Sequence, residues 1–277
     1  MPDPYASQVT LEKPDPDAIE LLLSLFNKSV LKKAKYRQIC QLLGPVQMNG
    51  HYLDIGGDNG VICYLLRQQG GTWSSADLSK NTVRAIRMMV GERVDEINGR
   101  TSPYAENQFD AVVIIDFLEH INDDRQFVRE IHRVLKPNGQ LIVNVPHEKN
   151  FSLIRKIRLA VGLTDEKHGH VRPGYSLQKL AGVLAPQFRI GQSKTYSGFF
   201  IETFDVLQSL VFELMNRGQH TEKGNIVTHT DLNKHRRKFK IYALIYPFAW
   251  ICAQFDRLFP WWQGHSLIVR AVPKRDI

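Results

Sequence analysis

The feature that most restricts the fold is the segment Phe109–Asp116 (FDAVVIID), whose interior is continuously apolar and rich in β-branched residues. Such a run fits a strand that is buried on both faces, as in a parallel sheet covered by helices. Shorter strand patterns occur at His51–Ile55, Trp73–Asp77 and Gln140–Val145, with helical patterns between them. This alternation predicts an α/β fold with a doubly wound, mostly parallel sheet and right-handed crossovers.

The segments outside this alternation suggest a division of the chain. Residues 1–16 are polar and proline-rich and lack the pattern of a signal peptide, so we expect a loose leader. One long amphipathic helix is predicted from Asp17 to Leu43. Strand patterns at Phe188–Tyr196 and Ser266–Val272 are widely separated. We therefore expect a main domain at residues 17–197, a helical, basic and aromatic insertion at 198–264, and a last strand within 265–277.

A glycine-rich turn, LDIGGDNG at residues 53–60, joins the first strand to the first helix. Gly56, Gly57 and Gly60 lack a Cβ atom, so the backbone can approach a ligand closely there. The start of the helix adds unpaired N–H groups that favour ligand binding. Asp77 ends the second strand about twenty residues later, where one carboxylate can bind two ribose hydroxyls. The pattern indicates a nucleoside-binding site.

Two carboxylates distinguish this turn from one that binds a dinucleotide. The dinucleotide pattern is G-x-G-x-x-G, whereas this chain has D-x-G-G-D-x-G. Asp54 and Asp58 would repel a pyrophosphate but attract the ammonium and sulfonium groups of S-adenosylmethionine. The sign of the charge therefore favours this methyl donor and disfavours a dehydrogenase.

Four segments resemble, in order and spacing, the motifs of class I S-adenosylmethionine-dependent methyltransferases, particularly the quinone-biosynthesis branch. They are LDIGGDNG, SSADLS, SPYAENQFDAVVIIDFLEHI and RQFVREIHRVLKPNGQLIVNVP, within about residues 48–197. The resemblance implies a seven-stranded sheet. It also implies that Asp54 and the glycines surround the methionine moiety, that Asp77 binds the ribose, that Leu78 lies against adenine, and that Asp116 and Phe117 face the methyl group.

The chain departs from the family pattern at two positions. Asp58 replaces the usual third glycine, so we expect a more polar or slightly reshaped loop. Asn98 aligns with the usual acidic adenine contact, and its amide oxygen could accept a hydrogen bond from the adenine amino group. Structural interpretations stay open: GGDNG as a plain turn, Asp77 as a helix cap, Asn98 as a turn residue, and Glu119–His120 as a cap.

Methyl transfer to a hydroxyl requires alignment of the reacting atoms and a base that removes the proton. Candidate bases follow the fifth strand, at the edge where ligands bind in open α/β sheets: His147, His170 and Tyr175. His168 is expected to be a surface residue. His168 and His170 lack a clustered carboxylate or cysteine, so no metal site is predicted.

The expected insertion lies in the most basic part of the chain. The formal net charge is +8, and residues 217–277 contain 11 Lys or Arg against 4 Asp or Glu. A basic cluster precedes an apolar, aromatic run that is interrupted by Pro247 and is too short to span a bilayer. This combination is typical of a segment that lies on an anionic membrane. The predicted contact residues are Lys234, Arg236, Arg237, Lys238, Lys240, Trp250, Trp261 and Trp262.

Other interpretations of the insertion stay open, namely a helix that covers the core or a dimer interface. Nucleic acid is disfavoured, because the aromatic residues are not interleaved with the charges. Three scattered cysteines fit a reducing cytoplasm. We expect a cytoplasmic enzyme, peripheral on the inner membrane face if the membrane interpretation holds, that methylates a small or lipid-linked hydroxyl. The alternatives are a donor-binding scaffold without turnover and a methyltransferase acting on nucleic acid.

Overall fold

The computed structural model of the chain describes residues 14–149, 171–215, 232–259 and 261–274. Seven strands form one sheet within these residues: β1 (His51–Ile55), β2 (Thr72–Asp77), β3 (Val94–Glu96), β4 (Phe109–Ile115), β5 (Leu135–Pro146), β6 (Phe188–Tyr196) and β7 (Ser266–Pro273). The strand order is β3-β2-β1-β4-β5-β7-β6. Neighbours among β1 to β5 are parallel, whereas β7 is antiparallel to both β5 and β6. The predicted fold class is confirmed.

The helices described in the structure connect these strands and cover the sheet. They are α1 (Pro16–Asn27), α2 (Val30–Leu43), α3 (Val61–Arg67), α4 (Lys80–Val90), α5 (Asp124–Val134), α6 (Leu177–Leu184), α7 (Phe199–Met215) and α8 (Leu232–Asp256), with a short 3-10 helix at Leu118–His120. A helix follows each of β1, β2 and β4, whereas a loop joins β3 to β4.

Burial on both faces explains the apolar sequence of β4. Val112 and Ile114 pack in the cluster that contains residues of α5 and α6. Val113 and Ile115, which point to the opposite face, pack with residues of α2 and α3. All four side chains are almost completely buried, so a charged residue at any of these four positions would place an uncompensated charge in the core.

The prediction of one helix from Asp17 to Leu43 is wrong. The chain leaves the helical conformation at Lys28 and Ser29, so that α1 and α2 are separate helices. The Ser29 side chain accepts a hydrogen bond from the backbone N–H of Lys32 at 3.2 Å and thereby caps α2. The hydrophobic periodicity of the sequence continues across Ser29, so the boundary between the two helices could not be predicted from it. The break brings the start of α2 over the carboxyl ends of the strands.

Two helices, α7 and α8, lie between β6 and β7. The carboxylate of Asp256, at the end of α8, accepts hydrogen bonds from the backbone N–H groups of Phe200 and Ile201 at 2.8 and 3.1 Å. These bonds cap the start of α7 and join the two helices. Among the described helices, none is long and apolar enough to cross a membrane.

Candidate active site

The glycine turn after β1 is packed tightly between β4 and α3. Gly56 has φ +88°, and a Cβ atom added to it would lie 2.2 Å from the carbonyl oxygen of Ile115. At Gly57 an added Cβ would lie 2.1 Å from the sulfur of Cys63. The Gly56 N–H also donates to the carbonyl of Ala76 at the end of β2. The two glycines are therefore required by the packing of the turn itself, independently of a ligand.

Asp54 lies beneath the turn and is completely buried. Its carboxylate accepts hydrogen bonds from Cys63 and Ser75, both at 2.8 Å, and from Arg67 at 3.4 Å. Burial raises the pKa of the Asp54 carboxyl, whereas the Arg67 guanidinium acts to lower it. The expectation that the Asp54 charge attracts the donor's cationic groups requires correction, because this carboxylate contacts protein groups and is balanced by Arg67.

Asp58 adopts the left-handed backbone conformation, with φ 52°. A glycine takes this conformation without strain, and an aspartate tolerates it better than most residues do. The Asp58 side chain is half-exposed and lies 3.6 Å from the ammonium group of Lys32 in α2. The backbone geometry of the turn is therefore kept, but its second carboxylate also faces a lysine.

Asp77 lies at the carboxyl end of β2, beside the glycine turn, and is 9% exposed. Its Oδ1 atom accepts hydrogen bonds from the backbone N–H groups of Leu78 and Ser79 at 2.8 and 3.4 Å. These bonds fix the orientation of the carboxylate at the position where the sequence predicted a ribose contact. Leu78 is partly buried against the core.

The Asn98 side chain is occupied by its own turn. Its Oδ1 atom accepts hydrogen bonds from the backbone N–H groups of Arg100 and Thr101 at 2.8 and 2.9 Å. This arrangement matches the turn interpretation and removes the amide oxygen from the proposed contact with adenine.

A network of polar side chains crosses the carboxyl ends of β4, β5 and β6. Asp116 accepts hydrogen bonds from Lys35 of α2 and from the amide of Asn144, the latter at 2.8 Å. The Tyr196 hydroxyl donates to the oxygen of the same amide. Burial would lower the pKa of Lys35, but the charge of Asp116 holds it above its ordinary value. Burial also raises the pKa of Tyr196, so both groups keep their protons at neutral pH.

Asp116 and Phe117 point in different directions. Asp116 has φ 46°, an unusual conformation for a residue other than glycine, and its carboxylate belongs to the polar network. Phe117 is buried and packs against Phe127 with ring centroids 5.1 Å apart. An added Cβ on Gly56 would lie 3.0 Å from the Phe117 Cβ. The expectation that the Phe117 ring faces the methyl group therefore requires correction, since the ring belongs to the core.

A cavity of about 370 Å³ opens beside this network. Its floor is formed at the ends of β4 to β7, and its other walls come from the junction of α1 and α2 and from α7 and α8. Its lining combines apolar side chains with charged groups of both signs and one histidine among the described residues. The described lining includes Lys28, Leu31, Lys32, Lys35, Asp116, Glu119, Pro146, Tyr196, Ile201, Phe204, Asp205, Ile245, Tyr246, Ala249 and His265.

The three predicted bases have different environments. His147 is half-buried, and its Nδ1 atom lies 2.9 Å from the carbonyl oxygen of Gly264. Because that oxygen only accepts, Nδ1 carries a proton and Nε2 holds the lone pair of the neutral ring. His147 is not among the described residues that line the cavity. His170, like His168, lies outside the residues that the structure describes.

Tyr175 does not fit the role of a base. It is 2% exposed, and its hydroxyl donates to Asp124 at 2.7 Å and accepts a hydrogen bond from Arg172. Burial and the nearby Asp124 carboxylate raise the pKa of Tyr175. The Tyr175 hydroxyl joins the loop before α6 to the start of α5. The hydrogen-bond partner of this hydroxyl cannot be predicted from the position of Tyr175 in the sequence.

Sequence reasoning missed the residues that complete the cavity. Lys35 belongs to the polar face of an ordinary amphipathic helix, Tyr196 is the last residue of the edge strand β6, and His265 directly precedes β7. A usable signal existed only for Asn144, which is a polar residue inside the apolar run of β5. A buried amide in such a strand requires a partner. The residues that line the cavity come from distant parts of the chain, so a local sequence pattern cannot predict them.

A family model described as a methyltransferase domain matches residues 53–143 of the chain. The methyltransferase GfsG of Streptomyces halstedii is 31% identical over 142 residues, which cover 47% of this chain and 47% of that protein. The ubiquinone biosynthesis O-methyltransferase of Pseudomonas aeruginosa is 30% identical over 98 residues, which cover 33% of this chain and 42% of that protein. The chain thus matches less than half the length of either relative. The predicted resemblance to quinone-biosynthesis methyltransferases is confirmed.

Solved structures share the fold over most of the chain. The [4+2]-cyclase SpnF superposes with a TM-score of 0.58 at 16% identity, covering 93% of both chains. A geranyl diphosphate methyltransferase in complex with S-adenosylmethionine gives a TM-score of 0.55 at 13% identity, covering 94% of this chain and 92% of that one. At these identities the likeness concerns the fold alone.

Proposed function

We propose that this chain, whose residues 53–143 match the model of a methyltransferase domain, is a class I S-adenosylmethionine-dependent methyltransferase that transfers a methyl group to a hydroxyl of a small or lipid-linked acceptor. The observation that carries the proposal is the position of the cavity. Asp116, which follows β4, lies in its wall, and β4 is the direct neighbour of β1, which carries the glycine turn. A donor held at the turn would therefore have its methyl group near the cavity.

The donor site of the proposal is formed at the carboxyl ends of β1, β2 and β4. Asp77 would bind the ribose, with its carboxylate oriented by Leu78 and Ser79. The backbone of the turn from Gly56 to Gly60 would surround the methionine moiety, because the glycine backbone leaves room for close approach. Asp58 and Asp116 would face its cationic groups. In the fold, Asp58 also contacts Lys32, and Asp116 also contacts Lys35.

The acceptor site of the proposal is the cavity, and its base is His265. Histidine is the side chain type that ordinarily exchanges a proton near neutral pH. Lys35 and Tyr196, which also line the cavity, keep their protons because of the raised pKa of each group. When bound, S-adenosylmethionine would supply the methyl group to the acceptor hydroxyl and would leave as S-adenosylhomocysteine. The hydroxyl proton passes to the imidazole of His265.

The class of the acceptor follows from the cavity lining and from the relatives. Ile201, Phe204, Ile245 and Ala249 provide an apolar wall, which suits an aromatic or isoprenoid group. One relative is named as a ubiquinone biosynthesis O-methyltransferase. In the proposal, residues 17–197 form the donor-binding domain, the insertion at 198–264 completes the acceptor cavity, and residues 265–277 contain the last strand of the sheet. The chain would act at the cytoplasmic face of an anionic membrane.

The test measures the release of S-adenosylhomocysteine from S-adenosylmethionine in the presence of a short-chain prenylated catechol. We expect product release that depends on the catechol, and a new O-methyl group in its mass and NMR spectra. The matched control is the same prenylated ring with both hydroxyls already methylated, which we expect to be inert. Donor binding without product for the catechol and for hydroxylated lipid extracts would instead favour a scaffold without turnover.

A further inference from the structure

The helix α8 has two apolar faces with different surroundings. Ile245, Tyr246 and Ala249 line the cavity. On the other side, Leu244, Phe248 and Ile251 are 73%, 62% and 45% exposed. The spacing of these three residues places them on one face of the helix. The same helix therefore covers the cavity and presents a row of large apolar side chains to solvent.

This row continues beyond the end of the helix. Phe255, Leu258, Trp261 and Trp262 are exposed as well, between 42% and 69%. Single exposed apolar residues are common in proteins, but a contiguous exposed patch indicates an interaction site. We define the apolar row by its exposed members Leu244, Phe248, Ile251, Phe255, Leu258, Trp261 and Trp262. The exposure of this row indicates a surface for an apolar partner.

The positive charge of α8 indicates which kind of partner covers the apolar row. From Leu232 to Gln254 the sequence contains five Lys or Arg and no Asp or Glu. The five are Lys234, Arg236, Arg237, Lys238 and Lys240, whose side chains lie outside what the structure describes. A second copy of this chain would bring a second basic helix to the same contact, and like charges would oppose pairing. A bilayer with anionic headgroups offers both an apolar interior and complementary charge.

The composition of the apolar row supports the same partner. Tryptophan and phenylalanine are the side chains that anchor helices at the level of lipid headgroups. None of the described helices is both long and apolar enough to cross a membrane. The helix is also held to the main domain, because Lys33 of α2 donates to the Tyr246 hydroxyl at 3.2 Å.

We infer that the apolar row of α8 docks on an anionic bilayer, so that the cavity behind this helix receives its acceptor directly from the membrane. The inference rests on the proposed function for the nature of the acceptor, but the docking does not depend on catalysis. The contact holds the inner face of α8 over the cavity while the outer face enters the lipid. A lipid-linked acceptor would then reach the cavity beside α8 without crossing water.

The test is flotation of the full chain with vesicles of phosphatidylcholine alone and of phosphatidylcholine with phosphatidylglycerol. We expect binding to the anionic vesicles that falls about tenfold when NaCl rises from about 0.05 to about 0.5 M, because salt screens the basic cluster. The double variant Phe248→Ser/Ile251→Ser should lose about tenfold in binding to the same vesicles, since it removes two exposed apolar side chains that the bilayer would bury. The control variant Met48→Ser/Leu177→Ser changes two exposed apolar residues outside the apolar row and should bind as the unchanged chain does.

Two further measurements separate the possible failures. Calorimetric titration with S-adenosylmethionine should give the same affinity for all variants, which shows that each is folded. Absence of flotation at low salt, with donor binding intact, would overturn the inference and leave the proposed function standing. A stable dimer that Phe248→Ser/Ile251→Ser dissociates, without vesicle binding, would overturn it in favour of a second copy. Flotation without donor binding would instead contradict the proposed function alone.

Discussion

The two sides of the site are built in different ways. Several contacts of the donor side, at the ends of β1 and β2, join residues that are close in sequence, such as Cys63 with Asp54, nine positions apart. The acceptor side joins distant residues: Lys35 with Asp116 across 81 positions, and Lys33 with Tyr246 across 213. A donor site of this kind can be recognised from local motifs, whereas an acceptor site requires the whole fold.

The largest effect is expected on the acceptor side. Replacing His265 by Ala removes the proposed base and should lower turnover by about 10²- to 10⁴-fold, the usual contribution of general base catalysis. The affinity for S-adenosylmethionine, measured by calorimetry, should not change. His147→Ala is the matched control, because His147 is half-buried but is not among the described residues of the cavity wall. Equal losses in both variants would remove the distinction that we draw between the two histidines.

On the donor side, the packing of the turn should dominate. Gly56→Ala places a Cβ atom 2.2 Å from a backbone carbonyl at φ +88°, so the free energy of unfolding should fall by about 3 kcal/mol. The matched control is Gly182→Ala, where an added Cβ meets nothing within 4 Å. Inside α6 this change should raise the free energy of unfolding by about 0.5–1 kcal/mol. Urea denaturation of both variants measures the contrast, and equal stability would contradict the described packing of the turn.

Asp77→Asn separates donor binding from stability. The amide oxygen can still accept the hydrogen bonds from Leu78 and Ser79, so thermal unfolding should shift little. The loss of the charged partner for the ribose should weaken S-adenosylmethionine binding by about 10- to 100-fold. Calorimetric titration checks the affinity. An unchanged affinity would mean that Asp77 serves only as the cap that its backbone bonds form.

The smallest effect concerns the pH dependence of the stability of the fold. Glu130 of α5 accepts hydrogen bonds from Ser102 and Arg133. Burial would raise the pKa of Glu130, but these bonds hold it below its ordinary value. An acid of this kind stabilises the fold above its unfolded pKa of about 4.3, and that stability is lost as the pH falls through its lower folded pKa. Glu130→Gln should therefore remove about 1 kcal/mol of stability at pH 7 and less at pH 3, as measured by urea denaturation.

The sequence allowed the sheet, its mainly parallel direction and the glycine turn to be predicted, because burial of β4 and the form of the turn leave local traces. It misjudged the electrostatics of the turn. Asp54 and Asp58 appeared as unbalanced negative charges, whereas Arg67 and Lys32 face them in the fold. The boundary between α1 and α2 was also missed, since Ser29 caps a helix within a continuous apolar pattern. Charge balance and helix breaks of this kind depend on tertiary contacts.

The preference of the turn for S-adenosylmethionine over a dinucleotide is the claim on which both sides depend. The most direct measurement is isothermal titration of the full chain with S-adenosylmethionine and, separately, with NAD. We make the prediction that S-adenosylmethionine binds saturably, that Asp77→Asn weakens this binding, and that NAD gives no heat of binding. Binding of NAD alone, weakened by the same substitution, would contradict it.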